Sequence, residues 1–512
     1  YVEEQAQIEA WLGLILEAAR HSPALALEIA DRARRHRFLS TLPLGGRMLA
    51  LRWILDGPTE PLGQRGLLQR QDLLARFPRF QQLAQEAAKV REGLAALPLV
   101  DQAPEGRRRQ AALLDRLGSI SDEQELILRE MAVRREATDL VFPPLLKTKE
   151  VQQALPEGQV LLAFFATSRN MYAFLYSHEK YAAWHVNSPV QLQKNVISLL
   201  RELGNYDQNH EITAADLART NWRSLAAKVT SLLLEKSNVD LAGNFDEIVI
   251  VPDGILWYLP FELLSVGKKD QEQLLISHAR VRYAPTVGLA FPTTNSRRPQ
   301  PRVGVLVGKM SPQDDDAVAA EAFEQFGRSV DGAVALPRPL PAPANVYRML
   351  LDTLVVLDDI RPAAGPYDWS PTQTDKGKSG AALASWLALP WGGPETVILP
   401  GFHTMAESGL RKGTAAGNDL FLMLCALMSS GTRSVLISRW RVGGQTGYDL
   451  VREFAQELPH ASAAEAWQRS VQIAGETPLD LEREPRVKKA AGSSESMNAL
   501  TEKTAFPGPG GP

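Results

Sequence analysis

The sequence predicts an α/β protein in which a mostly parallel sheet is covered by helices and is preceded by an all-helical region. Two observations lead to this prediction. Up to about residue 140, apolar residues recur at helical spacing, as in 8–16 and 24–38. Beyond residue 150, short apolar runs alternate with helical segments, and this alternation is typical of parallel sheets with helices on both faces.

The helical region is predicted to span residues 1–146. Its longest segments, 67–97 and 106–140, are rich in Leu, Arg and Gln, and Pro78 interrupts the first of them. Two amphipathic helices joined by a short loop would pack as an antiparallel hairpin. Because no repeat of about 34 residues is evident, a helical support for the sheet is favoured over a TPR-like partner-binding surface, which stays open.

The α/β region is predicted to span 147–478, and a charged, then Gly/Pro-rich tail that we expect to be disordered at its end spans 479–512. The predicted strands are 159–165, 171–175, 181–185, 248–251, 303–307, 354–357, 397–399 and 435–438. The predicted helices of this region are 189–203, 214–234, 316–326, 380–389, 417–430 and 448–458.

Composition excludes several classes of protein. The 512 residues carry a net charge of −3, so no global field attracts nucleic acid or an anionic membrane. A single cysteine excludes an intramolecular disulfide framework and a cysteine-rich zinc site. No uncharged apolar run is long enough to cross a bilayer, and we expect a cytoplasmic protein without cofactor or metal. Because the first residue is Tyr1 rather than Met, the sequence leaves open that it is a fragment.

Two basic runs, 32–37 and 107–109, could in principle bind nucleic acid. Acidic residues flank both runs, among them Asp31 and Glu105. We therefore expect solvated helix faces and no nucleic-acid partner.

Three motifs carry a resemblance to a known family. They are IVIVPDGILWYLPFELL at 248–264, VILPGFHT at 397–404 and GTRSVLISRW at 431–440. In this order they resemble the signature of CHAT domains, the caspase-like domains often found after TPR repeats, over roughly residues 150–475. The resemblance implies a caspase/CHAT-like sheet and, in active members, a Cys–His dyad at its carboxyl end.

The two dyad positions are altered in this chain. The resemblance puts Phe402 at the position of the nucleophilic cysteine and Asp359 at that of the histidine, and a one-residue slip would put Asp358 there. A phenyl ring cannot attack a carbonyl, so the dyad is predicted to be absent. The two strands are expected to be neighbours, with both residues near their carboxyl ends.

Three other residues could carry chemistry. Cys425 lies in an apolar helix and is predicted to be a small buried hydrophobe with little thiolate. His403 directly follows the nucleophile position, and alternation along a strand is expected to turn it away from that position. A relocated hydrolase could instead use His403 with the hydroxyl of Thr404 or Ser408.

The loop 438–446 is the second candidate site. In the family this loop walls the specificity pocket, and here it contains Arg439, Trp440 and Arg441 before a glycine pair and a helix. Two guanidiniums beside a helix N-terminus would suit a carboxylate or another anion. The alternative is that the arginines are solvated or pair with local acids such as Glu407 and Asp419.

Two hypotheses about function follow from these motifs. The first is a catalytically inactive CHAT-like domain that acts as a binding or scaffold module for a protein or peptide partner, without nucleic acid or membrane. The second is a hydrolase or peptidase with relocated catalytic residues, which uses His403 and a hydroxyl nucleophile.

Overall fold

The computed structural model confirms the predicted fold class: a helical region precedes parallel strands covered by helices. It describes residues 11–12, 14–15, 22–167, 170–204, 213–235, 237–267, 273–291, 301–311, 314–361, 365–374, 377–388, 392–404, 406, 415–440 and 442–484. Most of the predicted first helix and the end of the predicted tail lie outside these residues.

The helical region packs its two longest helices against each other. Its helices are α1 (Pro23–Leu39), α2 (Arg47–Asp56), α3 (Gln64–Arg76), α4 (Pro78–Ala95), α5 (Pro104–Val133) and α6 (Thr148–Ala154). Pro78 opens α4, so the predicted interruption is a helix boundary. Arg79 pairs with Glu123 and Glu86 with Arg116, which confirms the predicted antiparallel hairpin of α4 and α5.

The first sheet is mixed and has the strand order β3-β2-β1-β4-β7. Its strands are β1 (Gln159–Ala166), β2 (Met171–Tyr176), β3 (Tyr181–Val186), β4 (Glu247–Val251) and β7 (Arg280–Tyr283), and a separate pair is formed by β5 (Ser265–Val266) and β6 (Gln273–Leu274). The antiparallel strands β1 to β3 form a meander, whereas β4 and β7 run parallel to β1. The helices of this part are α7 (Pro189–Glu202), α8 (Ala214–Leu217), α9 (Asn221–Leu234) and α10 (Leu275–His278).

The second sheet is entirely parallel and has the order β12-β11-β10-β8-β9. Its strands are β8 (Val303–Val307), β9 (Ala333–Ala335), β10 (Thr353–Leu357), β11 (Thr396–Leu399) and β12 (Ser434–Ile437). The helices that accompany it are α11 (Asp316–Ser329), α12 (Ala344–Tyr347), α13 (Leu383–Leu387), α14 (Asn418–Ser429), α15 (Gly444–Glu457) and α16 (Ala463–Glu476). The predicted strand 248–251 forms β4 and pairs with β1 in the first sheet, because strand–helix alternation does not specify which sheet a strand joins.

The core of the second sheet has two faces. Leu354 and Val397 belong to the same buried cluster as the apolar side chains of α14. Val355 and Ile398, the next residue in each strand, belong to the cluster that contains Phe454 of α15. This alternation is the two-residue period of a sheet buried on both faces.

The basic run at 32–37 corrects one expectation. Arg34 is 1% exposed and Arg35 is 9% exposed, so these side chains point inward rather than to solvent. The guanidinium of Arg37 donates to the carboxylate of Asp253 at 2.7 Å, within the Pro-Asp-Gly motif. The expectation of a solvated face was wrong because, besides the local Asp31, partners distant in sequence hold these guanidiniums, the Phe164 carbonyl for Arg34 and Asp253 for Arg37. The run 107–109 is exposed, as predicted.

Candidate functional site

The strands that carry the two dyad positions are neighbours, as predicted. β10 and β11 pair in parallel, with Thr353 opposite Thr396. The pairing continues past the strand ends, because the Ile360 N–H donates to the Gly401 carbonyl and the His403 N–H to the Ile360 carbonyl, both at 2.9 Å. Segments 358–361 and 400–404 therefore lie side by side, and we call them, with 438–440, the carboxyl edge.

Phe402 is a core residue. Its side chain is 1% exposed, and its ring lies 5.1 Å from the ring of Trp369, centroid to centroid. The preceding residue must be glycine, since a Cβ on Gly401 would lie 2.0 Å from the carbonyl oxygen of Asp358. The Phe402 carbonyl accepts a hydrogen bond from the Ser438 hydroxyl at 2.7 Å. The position where the family would place a nucleophile thus points into the hydrophobic core.

Asp359 contacts His403 rather than the phenyl ring. The Nε2 atom of His403, a residue only 5% exposed, contacts Oδ1 of Asp359. Oδ2 of the same carboxylate accepts a hydrogen bond from Nε of Arg361 at 3.0 Å. Asp358, the slipped alternative, pairs with Arg338 at 2.9 Å. The two dyad positions lie on neighbouring segments, but one side chain enters the core while the other meets a histidine.

Thr404 is tied into the same edge. Its hydroxyl donates to the Arg439 carbonyl and accepts a hydrogen bond from the Ala406 N–H at 3.2 Å. The hydroxyl hydrogen is therefore directed to a backbone carbonyl and not to an imidazole. Ser408, the other hydroxyl considered, and Glu407 lie outside the described residues.

Arg439 is held by residues of the first sheet and the Pro-Phe-Glu motif. Its guanidinium lies 3.6 Å from Oε2 of Glu262, and its Cζ lies 4.5 Å from the centroid of the Tyr283 ring. The Tyr283 hydroxyl donates to the same carboxylate at 2.7 Å. Burial opposes the charge on the guanidinium, yet Glu262 and Tyr283 raise the pKa of Arg439 above its ordinary value. Burial also raises the pKa of Tyr283.

The other predicted partners of this loop are placed differently. Asp419, named as a candidate partner of the arginines, accepts a hydrogen bond from the Tyr258 hydroxyl at 2.8 Å. Trp440 packs, partly buried, against the main core, and Arg441 lies outside the described residues. The pairing of Arg439 with Glu262 has no local signal, because the two residues are distant in sequence.

An internal carboxylate occupies the helix N-terminus where an external anion was predicted. The Gly444 N–H donates to Asp314 at 2.8 Å, and the Ser311 N–H donates to the same carboxylate at 3.0 Å. The Tyr448 hydroxyl adds a third hydrogen bond at 3.2 Å. Burial raises the pKa of Asp314 above its ordinary value, although these donors lower it in part. The helix N-terminus of α15 is thus compensated from within the chain.

The sole cysteine is buried, as predicted. Cys425 is 0% exposed within α14, and burial raises the pKa of its thiol well above the ordinary value. A thiol in this environment carries little thiolate at neutral pH.

A feature that the sequence did not reveal is a cavity of about 700 Å³ between the two sheets. Strand β7 lines one side of it and strand β12 the other. Both are short edge strands. Strand β7 has the sequence Arg-Val-Arg-Tyr, and its two arginines interrupt the apolar run by which a strand is recognised. This cavity is a further candidate region, and its lining includes Arg439 and other residues of the first and third motifs.

Two features are absent from the described residues. No helix among them is long and apolar enough to span a bilayer. Nor does any group of three or more His, Cys, Asp and Glu side chains in that part of the chain form a potential metal site.

The comparisons with known proteins bear on the family. A search among curated proteins finds no match to this chain. The family model of the CHAT domain matches residues 208–367, a segment that includes the 248–264 motif and Asp359 and ends before Phe402. The predicted resemblance to the CHAT domain family is thus confirmed over residues 208–367.

Proposed function

We propose that this chain is a catalytically inactive CHAT-domain protein, a pseudo-peptidase that acts in the cytoplasm as a binding or scaffold module for a protein or peptide partner. The observation that carries the proposal is the environment of Phe402. The residue at the nucleophile position packs its ring on Trp369 in the core, 1% exposed.

The chemistry of cysteine peptidases supports the same conclusion. Such an enzyme needs an accessible thiolate, a base that takes its proton and donors for the oxyanion. The only thiol, that of Cys425, is buried in an apolar helix with a raised pKa. The hydroxyls of Thr404 and Ser438 bond backbone carbonyls of the carboxyl edge, so these groups act as structural links.

The test is a search for turnover in the native protein. The chain is incubated with a mixed peptide library and, separately, with iodoacetamide, and both reactions are followed by mass spectrometry. We expect no cleavage, and alkylation of Cys425 only after unfolding. The matched control is Cys425→Ser, which should show the same peptide background. Rapid alkylation of the native chain, or cleavage that Cys425→Ser abolishes, would overturn the proposal.

A second candidate function is favoured by one contact. The carboxylate of Asp359 touches Nε2 of His403, and a carboxylate in this position can orient an imidazole and stabilise its protonated form. These two residues therefore supply two of the three members of a hydrolase triad. The hydroxyl of Thr404 would have to leave the Arg439 carbonyl before it could act as the nucleophile.

A fluorophosphonate probe separates the two candidates. An inactive domain should remain unlabelled, as should its Thr404→Val variant. Labelling of the native chain that is lost in His403→Gln and retained in Cys425→Ser would establish the hydrolase and overturn the inactive assignment.

A further inference from the structure

The cavity between the two sheets lies beside a strand that has no neighbour on that side. β12 ends the second sheet, and no other strand in the described ranges pairs with its outer edge. All four of its residues line the cavity and are partly exposed, whereas three of the four residues of neighbouring β11 are buried. The open side of the second sheet therefore forms one wall of the cavity.

The backbone of β12 directs hydrogen-bonding groups into this space. The Ser434 N–H donates to the Glu395 carbonyl at 3.0 Å, toward β11. Because successive residues of a parallel ladder bond to opposite sides, the N–H and C=O groups of Val435 and Ile437 point away from β11. The outward N–H and C=O of one residue lie side by side, so each of these two residues offers a donor next to an acceptor.

The walls on the two faces of the sheet are apolar. Val435 and Ile437 pack against the buried cluster that contains the side chains of α14, whereas Leu436, between them, packs against the cluster that contains Phe454 of α15. Since successive side chains of a strand point to opposite faces, different helices cover the two faces beside β12. Their lining side chains are Leu420, Leu424 and Met428 of α14, Phe454 of α15, and Ala463 and Trp467 of α16.

Both helical walls are also hydrogen-bonded to the part of the chain that carries the first sheet. The side chain of Gln468 in α16 donates to the Ile276 carbonyl of α10 at 2.7 Å. The carboxylate of Asp419 in α14 accepts from the Tyr258 hydroxyl at 2.8 Å. These bonds fix the walls before a ligand enters, and a preformed site loses less conformational entropy when it binds.

The charged side chains of the described lining have partners within the chain. Glu247 pairs with Arg282 at 2.6 Å, and Glu262 pairs with Arg439 at 3.6 Å. Arg433, the remaining charged residue of the lining, has an interaction partner as well. A charged ligand would therefore leave water without gaining a free counterion, and this desolvation opposes its binding. The lining favours an uncharged ligand.

We propose that this cavity binds a small uncharged molecule that has an apolar body and a primary amide or lactam group. The amide would accept a hydrogen bond from the outward N–H of Val435 or Ile437 and donate one to the C=O of the same residue, while the apolar body contacts the helical walls. A volume of about 700 Å³ lies within the range of known ligand sites. This site goes beyond the proposed partner binding and does not depend on whether the domain is catalytically inactive.

The probes are three naphthalenes of similar size: 2-naphthamide, which carries the amide, 2-ethylnaphthalene, which lacks any polar group, and 2-naphthoate, which is charged. Their binding to the full chain is measured by equilibrium dialysis with fluorescence detection. We expect saturable binding of 2-naphthamide. Because the charges of the lining are compensated, 2-naphthoate should bind at least about tenfold more weakly than the amide.

Matched variants of the protein test the contact with β12. Val435→Pro and Ile437→Pro each remove one outward N–H and keep the bonds of β12 to β11, because proline is tolerated at an edge strand. One of the two should weaken the binding of 2-naphthamide about five- to tenfold and leave that of 2-ethylnaphthalene within about twofold. Val435→Thr keeps the N–H and should bind both compounds as the native chain does. Ala463→Phe extends the α16 wall into the cavity and should weaken the binding of both. Urea unfolding of each variant confirms that it is folded.

Three outcomes would overturn the assignment. They are the lack of saturable binding of 2-naphthamide up to about 1 mM, binding of 2-naphthoate at least as tight as that of 2-naphthamide, and native affinity for 2-naphthamide in both folded proline variants. The first two need no variant, so they decide the assignment even where a proline variant does not fold. None of the three bears on the proposed inactivity, and cleavage of peptides by the native chain would overturn the inactivity and leave the amide site standing.

Discussion

Strand β12 borders the inter-sheet cavity and leads into the carboxyl edge. The two regions differ in the polar groups that are accessible to another molecule. At the edge, internal partners engage the polar groups that looked functional: His403 meets Asp359, and Thr404 meets the Arg439 carbonyl. At the cavity, two strand edges face open space without a neighbouring strand in the described part of the chain.

Under the proposed function, the difference indicates which of the two regions can still recognise another molecule. Buried polar groups are almost always hydrogen-bonded, so a site whose side chains have found internal partners has become part of the structure. The outward N–H and C=O groups of an edge strand have no partner within their own sheet, so the strand can still pair with another chain. Four substitutions test this contrast, and the expected effects run from the largest to the smallest.

The largest effect is expected at the nucleophile position. Phe402→Ala should lower the free energy of unfolding by about 3–5 kcal/mol, because it removes a buried ring and leaves a cavity beside Trp369. Phe402→Leu, the matched control, should cost clearly less. Urea denaturation measures both. A loss below about 1 kcal/mol for the alanine variant would show that this position is not core, and the contrast would break.

The second effect concerns the ion pair between the two regions. Arg439→Met should destabilise the chain by about 3 kcal/mol, since it leaves the buried carboxylate of Glu262 without its cation. The double variant Arg439→Met/Glu262→Gln should recover part of this loss. Chemical denaturation of the two single variants and the double variant completes the cycle. Additive losses would show that the two side chains are not coupled.

The third effect is a pH dependence. Burial raises the pKa of Asp314, so the folded state holds its proton more tightly than the unfolded chain. Stability should therefore be higher below the unfolded pKa of about 3.9 and should fall as the pH rises through the folded pKa. Asp314→Asn should flatten this slope. Tyr448→Phe removes a donor that lowers the pKa, and should move the slope to higher pH.

That profile is measured by urea unfolding at a series of pH values between about 3 and 7. The opposite slope, with stability gained as Asp314 ionises, would show that the three donors outweigh burial. The N-terminus of α15 would then stabilise the ionised carboxylate of Asp314, as an anion-binding site does.

The smallest effect is expected on the wall of the cavity. Met428→Ala should cost about 1 kcal/mol or less, because the partly exposed Met428 side chain already borders open space. Leu427→Ala, at a fully buried neighbour, is the matched control and should cost about 2–5 kcal/mol. Equal losses for the two variants in urea denaturation would indicate that the cavity wall is packed like the core.

The sequence predicted most of the second sheet. Strands β8, β10, β11 and β12 lie within one residue of their predicted bounds, because each is a short apolar run between turn signals. It did not predict β9, which has only three residues, or β7, whose arginines interrupt the apolar pattern. The predicted helix 214–234 is divided into α8 and α9.

The candidate site was predicted in part. The adjacency of the two dyad strands followed from motif order and from the general topology of parallel sheets. The contact of His403 with Asp359 did not follow, because Ile360 rather than Asp359 pairs with Phe402, so the register shifts by one residue past the strand ends. Glu262 and Asp314 were missed as partners, since nothing near them in sequence indicates which cation or helix end they meet.

The sequence by itself determined the fold class, the order of the motifs and the residues at the two dyad positions, because these depend on residue identity and on local periodicity. Tertiary structure alone decided that Arg34 and Arg35 of the basic run are buried, that Arg439 is paired and that two sheet edges border a cavity. These features join segments that are distant along the chain, and their energies arise only when the backbone brings opposite charges and strand edges together.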